Sequence, residues 1–328
     1  MNTIYIILEI LQRTYIKLFN GKISLDGQIK ENLKFSHHIY NEQQEIIKNL
    51  IQKEGALFAG RLGSIELDCF NNFQQHQNLL KGNDTYSSVK YIQDKVYPKW
   101  ISIRTKNGMQ NNAGFFPATE KNIIKYGQLI NQCLQNLDIL LSWQRNEKYL
   151  PLSNQIPKII MYNISYPFLF TNPWTSALKD KKVLVISPFS KTIQYQYSRR
   201  ELLFKNPNVL PEFTLITLQS YNILRGKNNT NINDWFEALN KMEQQINNID
   251  FDIALIGCGA YAFPLAAYCK TLGKKAITVC GAIQLLFGIY GNRWEDWLKQ
   301  NNILNQNWTR PLDSKPIGFE KVEKGAYW

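Results

Sequence analysis

The stretch Gly55–Phe70, with the sequence GALFAGRLGSIELDCF, decides what kind of fold the chain can adopt. Its residues 56–59 are a short apolar run, which predicts a buried strand. Gly60 and Gly63 then interrupt the run, and Ser64 is a favoured residue for a helix start. A strand, a glycine turn and a helix in this order begin an α/β unit. Such folds bind ligands beyond the carboxyl ends of their strands.

Two charged side chains make this turn a candidate site. The guanidinium of Arg61 can give a phosphate two parallel hydrogen bonds, which predicts a phosphate contact. The carboxylate of Glu66 could ligate a divalent cation that bridges phosphate oxygens, or could act as a base. The alternative is an ordinary ion pair at a helix start, where acidic residues are favoured in any protein.

From residue 181 onwards, apolar strands alternate regularly with helices. The predicted strands are 182–187, 213–219, 252–256 and 276–280. This alternation predicts a Rossmann-like α/β fold, which is a mainly parallel sheet with helices on both faces, preceded by extra N-terminal helices. Because no Pro- or Gly-rich linker interrupts the chain, residues 23–328 are expected to form one domain, whose clearest pattern spans 181–300.

A second group of candidate binding residues follows the predicted strand 182–187. Ser190, Lys191 and Thr192 combine hydroxyls, an ammonium group and the N–H groups of a helix start, which together suit a phosphate. Arg199, on the helix behind them, supplies a further cation. The glycines of a Walker motif are missing, so the pattern predicts a phosphate contact without that motif.

Glycines after the last two predicted strands form a third group. Residues 257–262, GCGAYA, match GxGxxA, which is half of a dinucleotide fingerprint, but no acidic residue ends the next strand. We expect the glycines to let backbone approach a nucleotide closely. The predicted pocket residues are Gly257, Gly259, Tyr261, Gly281 and Gln284. An NAD(P)-dependent oxidoreductase is the alternative function that this turn leaves open.

Composition narrows the class of partner. The 328 residues carry a formal net charge of +12, and the positive charges are dispersed rather than gathered in a basic arm. Dispersed charge fits the capture of a phosphorylated small molecule or contact with a membrane surface at least as well as nucleic-acid binding, and no nucleic-acid partner is predicted. Five cysteines without a CxxC spacing predict a reducing, cytoplasmic compartment. None of the three histidines lies near a residue with which it could bind zinc or activate a nucleophile.

Residues 1–22 predict an amphipathic helix. Apolar residues share one face at helical spacing, and Glu9, Arg13 and Lys17 lie opposite them. The segment is too short and too charged to span a bilayer. We expect the helix to pack on the domain, and the alternative is peripheral contact with the inner face of the cytoplasmic membrane.

The remaining pattern predicts several connecting elements. Residues 106–117, KNGMQNNAGFFP, are expected to form a long loop. A helix capped by Thr119 is expected to run to about Leu140, and Trp143 is placed near the beginning of a strand. The helix after the strand 182–187 is expected to extend through Phe204. Residues 305–328 are expected to wrap back over the body.

The turn after the first strand resembles a known signature. GRLGSIEL, residues 60–67, is similar to the Arg-x-Gly-Asp-x-Glu signature of the GT-D-fold glycosyltransferases, a bacterial sugar-transferase family. Residues 183–204 and 251–295 resemble the same group over longer stretches. Arg61, Gly63 and Glu66 stand at signature positions, and Ser64 stands where the family has its Asp.

The resemblance implies a glycosyltransferase of the hexosyltransferase type. Its donor would be a nucleotide-diphosphate sugar, with UDP as the expected nucleotide. Its acceptor would be a glycan or lipid-linked glycan of a surface polysaccharide or glycoprotein, and a homodimer is left open. The family links its Asp-x-Glu pair to Mn²⁺, so Mn²⁺ or Mg²⁺ at Glu66 is implied, although the hydroxyl of Ser64 is a far weaker ligand than a carboxylate. A non-catalytic nucleotide-sugar-binding subunit is the remaining alternative.

Overall fold

Seven strands form one parallel sheet within the residues that the computed structural model describes, which are 37–80, 103–221, 231–316, 318–323 and 325–328. The strands are β1 (Leu57–Gly60), β2 (Ile139–Ser142), β3 (Lys158–Ile160), β4 (Lys182–Ser187), β5 (Thr214–Gln219), β6 (Ile253–Ile256) and β7 (Lys275–Thr278). Their order across the sheet is β3-β2-β1-β7-β6-β4-β5, and every pair is parallel. The predicted α/β fold is therefore confirmed.

Helices cover both faces of this sheet. They are α1 (His37–Gln52), α2 (Ser64–Leu80), α3 (Ile103–Asn111), α4 (Glu120–Leu134), α5 (Met161–Ser165), α6 (Ser190–Tyr197), α7 (Trp235–Asn247), α8 (Ala262–Thr271), α9 (Ile283–Leu286) and α10 (Glu295–Gln300). The sheet, α1 from Gln43 onwards and the helices α2 to α10 belong to one compact unit, Gln43–Trp328. The predicted helix 1–22 lies outside the described residues, so the boundary at residue 23 stays a prediction.

Alternation along the strands divides the core into two layers. Phe58 of β1 and Ile186 of β4 belong to the core that includes α2, α4, α7 and α8. Their neighbours Ala59 and Val185 belong to the opposite core, which α1, α6 and α9 help to form. The five inner strands are buried on both sides over most of their length, which explains why their sequences are nearly continuous apolar runs.

The strand order places β1 beside β7 at the centre of the sheet. The chain leaves β1 into α2, which packs in one core, and leaves β7 towards α9, which packs in the other. Neighbouring strands whose connections diverge to opposite faces create the crevice in which open α/β sheets bind ligands. The topology therefore identifies the carboxyl ends of β1 and β7 as the place to look for a site.

Three local predictions were wrong. The side chain of Thr119 caps α4 by accepting from the N–H of Asn122 over 3.2 Å, as predicted, but α4 ends at Leu134 and the apolar residues beyond it form β2. A buried strand and a buried helix segment have the same apolar character over so few residues.

The other two corrections concern a loop and the end of a helix. The predicted loop 106–117 begins as α3, which buries Met109. The helix after β4, α6, ends at Tyr197 instead of residue 204.

The C-terminal residues wrap back over the body, as expected. The indole N–H of Trp308 donates to the carbonyl of Leu203 over 3.1 Å, and Trp328 is buried against Phe189. In the described part of the chain, no helix combines the length and apolar character that crossing a membrane requires.

Candidate functional site

Arg61 lies at the carboxyl ends of β1 and β7 and connects them. Its backbone N–H donates to Oγ1 of Thr278 over 2.9 Å, and its Nε donates to Sγ of Cys280 over 2.9 Å. Both partners belong to the end of β7 or to the turn after it. Among the described residues, Nε is the only guanidinium nitrogen of Arg61 that makes a hydrogen bond. The terminal amino groups are therefore available to an external anion.

The indole ring of Trp143 supports the guanidinium of Arg61. The Cζ atom of Arg61 lies 4.7 Å from the centroid of the ring, which is a cation–π contact. Trp143 follows β2 directly, and its Nε1 donates to the carbonyl of Leu62 over 3.1 Å. The sequence pattern placed Trp143 near the start of a strand and assigned it no role. An aromatic residue directly after a buried strand could have indicated this role, but only if β2 had been predicted.

A buried carboxylate, Glu147, holds the Trp143 turn in place. It accepts hydrogen bonds from Oγ of Ser142 over 2.5 Å, from the N–H of Trp143 over 3.0 Å and from the N–H of Gln144 over 3.1 Å. Burial raises the pKa of Glu147, although these hydrogen bonds and the charge of Arg61 oppose that rise. Glu147 could not be predicted from the sequence, because its partners are defined by a local turn that the pattern did not predict.

Glu66 lies in the first turn of α2, and only 8% of its surface is exposed. Its carboxylate folds back against Gly63, where an added methyl group would lie 2.2 Å from Oε2. Burial raises the pKa of Glu66, while its own backbone N–H and the charge of Arg61 act in the opposite direction. The carboxyl group thus keeps its proton to higher pH than a solvated glutamate does, which suits a group that exchanges a proton.

The donor set around Glu66 does not fit a divalent cation held by the protein. Among the described residues, no three His, Cys, Asp or Glu side chains come together as ligands for one metal ion. Ser64, at the signature position, is exposed, and the oxygens of Glu147 already accept hydrogen bonds. A role for Mn²⁺ or Mg²⁺ at Glu66 stays a prediction that rests on the resemblance alone.

The turn after β7 brings two of the predicted glycines to Arg61. Cys280 has a φ of +54°, an uncommon left-handed conformation for a residue with a side chain. A methyl group added to Gly257 would lie 2.3 Å from the carbonyl oxygen of Cys280, and one added to Gly281 would lie 2.5 Å from the ring of Tyr327. Both glycines are therefore required by close packing around the residue that binds the Arg61 side chain.

Three other predicted pocket residues make contacts within the protein. Gly259, with a φ of +62°, faces the carbonyl oxygen of Ala113, which would lie 2.8 Å from an added methyl group. The ring of Tyr261 is buried and stacks on Trp235 with a centroid distance of 4.9 Å. Gln284 is buried, and its Nε2 donates to a backbone carbonyl of the C-terminal segment over 3.0 Å.

The predicted phosphate-binding turn after β4 already binds a carboxylate of the same chain. The buried Asp313 accepts hydrogen bonds from the N–H groups of Lys191 over 3.1 Å and Thr192 over 3.0 Å, and from the hydroxyl of Thr192. The hydroxyl of Ser190 is bonded to the side chain of Gln219. Because these groups are the ones that a phosphate would use, the turn is closed to a phosphate in this conformation.

The sheet order also separates this turn from Arg61. β4 lies three strand positions from β1, which is about 14 Å at the usual spacing of parallel strands. Arg199 lies behind the same turn and donates to the hydroxyl of Tyr195 over 2.9 Å and to the carbonyl of Asn307 over 3.0 Å. The structure therefore does not bring the turn after β4 together with the turns that follow β1 and β7.

One compact group of side chains remains as the candidate site. We call it the β1–β7 site, and its members are Arg61, Glu66, Trp143, Glu147, Cys280 and Tyr327. It combines a supported guanidinium with two buried carboxyl groups at the switch point of a parallel sheet. The chain matches no family model, and comparisons with curated proteins and with solved structures give no match either.

Proposed function

We propose that the chain is a glycosyltransferase that moves a sugar from a nucleotide-diphosphate donor, with UDP as the expected nucleotide, to a hydroxyl of a surface glycan or glycoprotein glycan. One observation carries the proposal. The guanidinium of Arg61 is held by Trp143 and Cys280 at the carboxyl edge of a parallel sheet, with its terminal amino groups unpaired among the described residues. A phosphate-bearing ligand suits both the group and its location.

The chemistry of transfer assigns a role to each charged group. The bond between the anomeric carbon and the diphosphate oxygen breaks, and the acceptor oxygen forms a bond to that carbon. Arg61 neutralises the negative charge that develops on the leaving diphosphate. Glu66 accepts the proton that the acceptor hydroxyl loses. Arg61 directly follows β1 and Glu66 lies in the first turn of α2, and the charge of Arg61 opposes the rise in the pKa of Glu66.

No observation favours the oxidoreductase alternative. Gly257 and Gly259, the glycines of the GxGxxA turn, are covered by the backbone of Cys280 and Ala113. A dinucleotide would need those same surfaces for the close approach of its pyrophosphate. A non-catalytic binding subunit has the same ligand as the proposed enzyme, and only a transfer assay separates the two.

The proposal is tested by binding of UDP to Arg61 variants. We expect calorimetry to show that UDP binds the wild-type protein and binds Arg61→Lys about tenfold more weakly, because lysine lacks the planar fork and its stacking on Trp143. Arg145→Lys is the matched control, since Arg145 is exposed and only two residues beyond Trp143. Its affinity for UDP should equal that of the wild type.

Three outcomes decide between the functions. Equal UDP affinities for the wild type and Arg61→Lys would contradict the proposed site. Binding of NADH instead of UDP would favour the oxidoreductase. Binding of a UDP-sugar without hydrolysis or transfer, over a panel of sugars and acceptors, would identify a binding subunit.

A further inference from the structure

Arg293 is a second arginine at the edge of the β1–β7 site. Its Nη1 atom donates to Oε2 of Glu323 over 3.1 Å and to the hydroxyl of Tyr327 over 3.3 Å. About a third of the Arg293 side chain and two fifths of the Glu323 side chain are exposed, so this ion pair is open to solvent. An exposed pair of this kind is weak, and another anion can replace its carboxylate.

A continuous series of contacts joins Arg293 to Arg61. Arg61 bonds to the thiol of Cys280, the next residue Gly281 lies under the ring of Tyr327, and the hydroxyl of that ring bonds to Arg293. Burial raises the pKa of Tyr327 to about 12, and the charges of both arginines oppose that rise. Both guanidinium groups therefore act on the same phenol.

Backbone strain is found on both sides of this series. Cys280 and Glu323 have φ values of +54° and +46°, a conformation that costs free energy for residues with a side chain. Such strain persists only where surrounding contacts enforce it, and it is common at ligand sites. One of the two strained residues, Glu323, is the ion-pair partner of Arg293.

The C-terminal segment does not depend on Glu323 for its position. The backbone N–H of Arg293 donates to the carbonyl of Ala326 over 3.0 Å, and Nε2 of Gln284 donates to the carbonyl of Tyr327 over 3.0 Å. Asn292 adds a bond from its backbone N–H to the carbonyl of Trp328 over 3.3 Å. The carboxylate of Glu323 can therefore leave Arg293 while residues 325–328 stay docked.

We propose that Arg293 is a second phosphate-binding residue of the β1–β7 site, and that Glu323 occupies its guanidinium until a diphosphate replaces it. The two arginines then both bind the diphosphate of a nucleotide. This inference rests on the proposed function, because it names the residues that would recognise the diphosphate of the donor. Carboxylate and phosphate compete for one guanidinium because both accept the same pair of hydrogen bonds.

Calorimetry with UDP and with inorganic pyrophosphate tests the proposal on full-length variants. Arg293→Gln should bind both ligands about tenfold more weakly, since one charge-assisted contact is lost. Glu323→Gln should bind both ligands several-fold more tightly, because the competing carboxylate is removed. Glu320→Gln removes the same charge from an exposed position in the same segment and should leave both affinities unchanged.

The outcomes separate this inference from the proposed function. Dependence of UDP binding on Arg61, with wild-type affinity in Arg293→Gln and Glu323→Gln, would overturn the inference and leave the function standing. Pyrophosphate binding that responds to Arg293 and Glu323, without any UDP binding, would support the diphosphate site and contradict the nucleotide-sugar function. Arg293→Lys covers the case in which Arg293→Gln fails to fold, because it keeps the charge and should bind with intermediate affinity.

Discussion

Arg61 shows how neighbours that are distant in the sequence can fix the orientation of a common side chain. An arginine after a strand is a weak signal, since most guanidinium groups are solvated. Here the group rests on Trp143 after β2 and bonds to Cys280 after β7. These contacts reduce the orientations that the guanidinium can adopt, so less entropy is lost when a ligand binds. The fixed orientation of this guanidinium therefore depends on residues at the ends of three strands, β1, β2 and β7.

Glu66 leads to a prediction about both activity and pH. We expect Glu66→Gln to lose at least a hundredfold in sugar transfer, because the amide cannot accept the proton of the acceptor. The pKa of Glu66 is raised in the folded protein, so the unfolded chain releases this proton at lower pH. The wild type should then lose stability relative to Glu66→Gln as the pH rises from the ordinary value of 4.5 through the folded pKa.

Urea unfolding of both proteins between pH 4 and pH 8 measures this difference. Glu147 titrates in both proteins, so its contribution cancels in the comparison. A wild type that gains stability over the variant with rising pH would mean that the charged form of Glu66 is favoured in the fold. Wild-type transfer by Glu66→Gln would remove Glu66 from the mechanism.

At the scale of elements, the start of α6 shows what a local motif cannot specify. Hydroxyls and free N–H groups after β4 predicted an anion there, and an anion is present. It is the carboxylate of Asp313, which lies 121 residues beyond Thr192 in the chain. The chemistry of the helix start was predictable from sequence, whereas its occupant depends on where the C-terminal segment runs.

Replacing Asp313 tests this arrangement. Asp313→Ala leaves two N–H groups at the start of α6 without their acceptor and should lower the free energy of unfolding by about 1 kcal/mol, as the loss of a helix cap does. Asp313→Asn keeps an acceptor oxygen and should lose less. Urea unfolding measures both changes, and phosphate should restore part of the loss in Asp313→Ala. An unchanged stability of the alanine variant would show that Asp313 contributes nothing to the helix.

The element that the sequence analysis missed, β2, also has a local explanation. Its first three residues, 139–141, are apolar and follow a helix after only four residues, so nothing in the periodicity separates them from that helix. Pairing settles the matter, because Ala59 and Gly60 of β1 align with Ile139 and Leu140. Because β2 was not predicted, the roles of Trp143 and Glu147 after it could not be predicted either.

At the scale of the whole molecule, the C-terminal segment completes the β1–β7 site by docking against a glycine. A methyl group added to Gly291 would lie 2.5 Å from the carbonyl oxygen of Ala326 and from the carbonyl carbon of Tyr327. Only a residue without a side chain permits this approach of two backbones. The position of Tyr327 over Gly281 therefore depends on a contact outside the sheet.

Gly291→Ala should push the segment away from the body. We expect a loss of about 1–3 kcal/mol in the free energy of unfolding, as for other overpacked contacts, together with weaker UDP binding. Gly108→Ala is the control, since its new methyl group meets a side-chain atom, Cγ2 of Ile65 at 3.2 Å, instead of two stretches of backbone. Denaturant unfolding and calorimetry measure the two effects. Wild-type stability in Gly291→Ala would contradict the close docking of the segment.

The sequence by itself determined the α/β class, most strand and helix positions and the two charged residues of the first turn. These features are local, because burial on both faces of a strand or on one face of a helix leaves a periodic pattern along the chain. Only the tertiary structure decided that β7 pairs with β1, that Trp143 supports Arg61, and that Asp313 occupies the start of α6. Contacts between residues so far apart in the chain leave no local periodicity, so they are set by the packing of the complete fold.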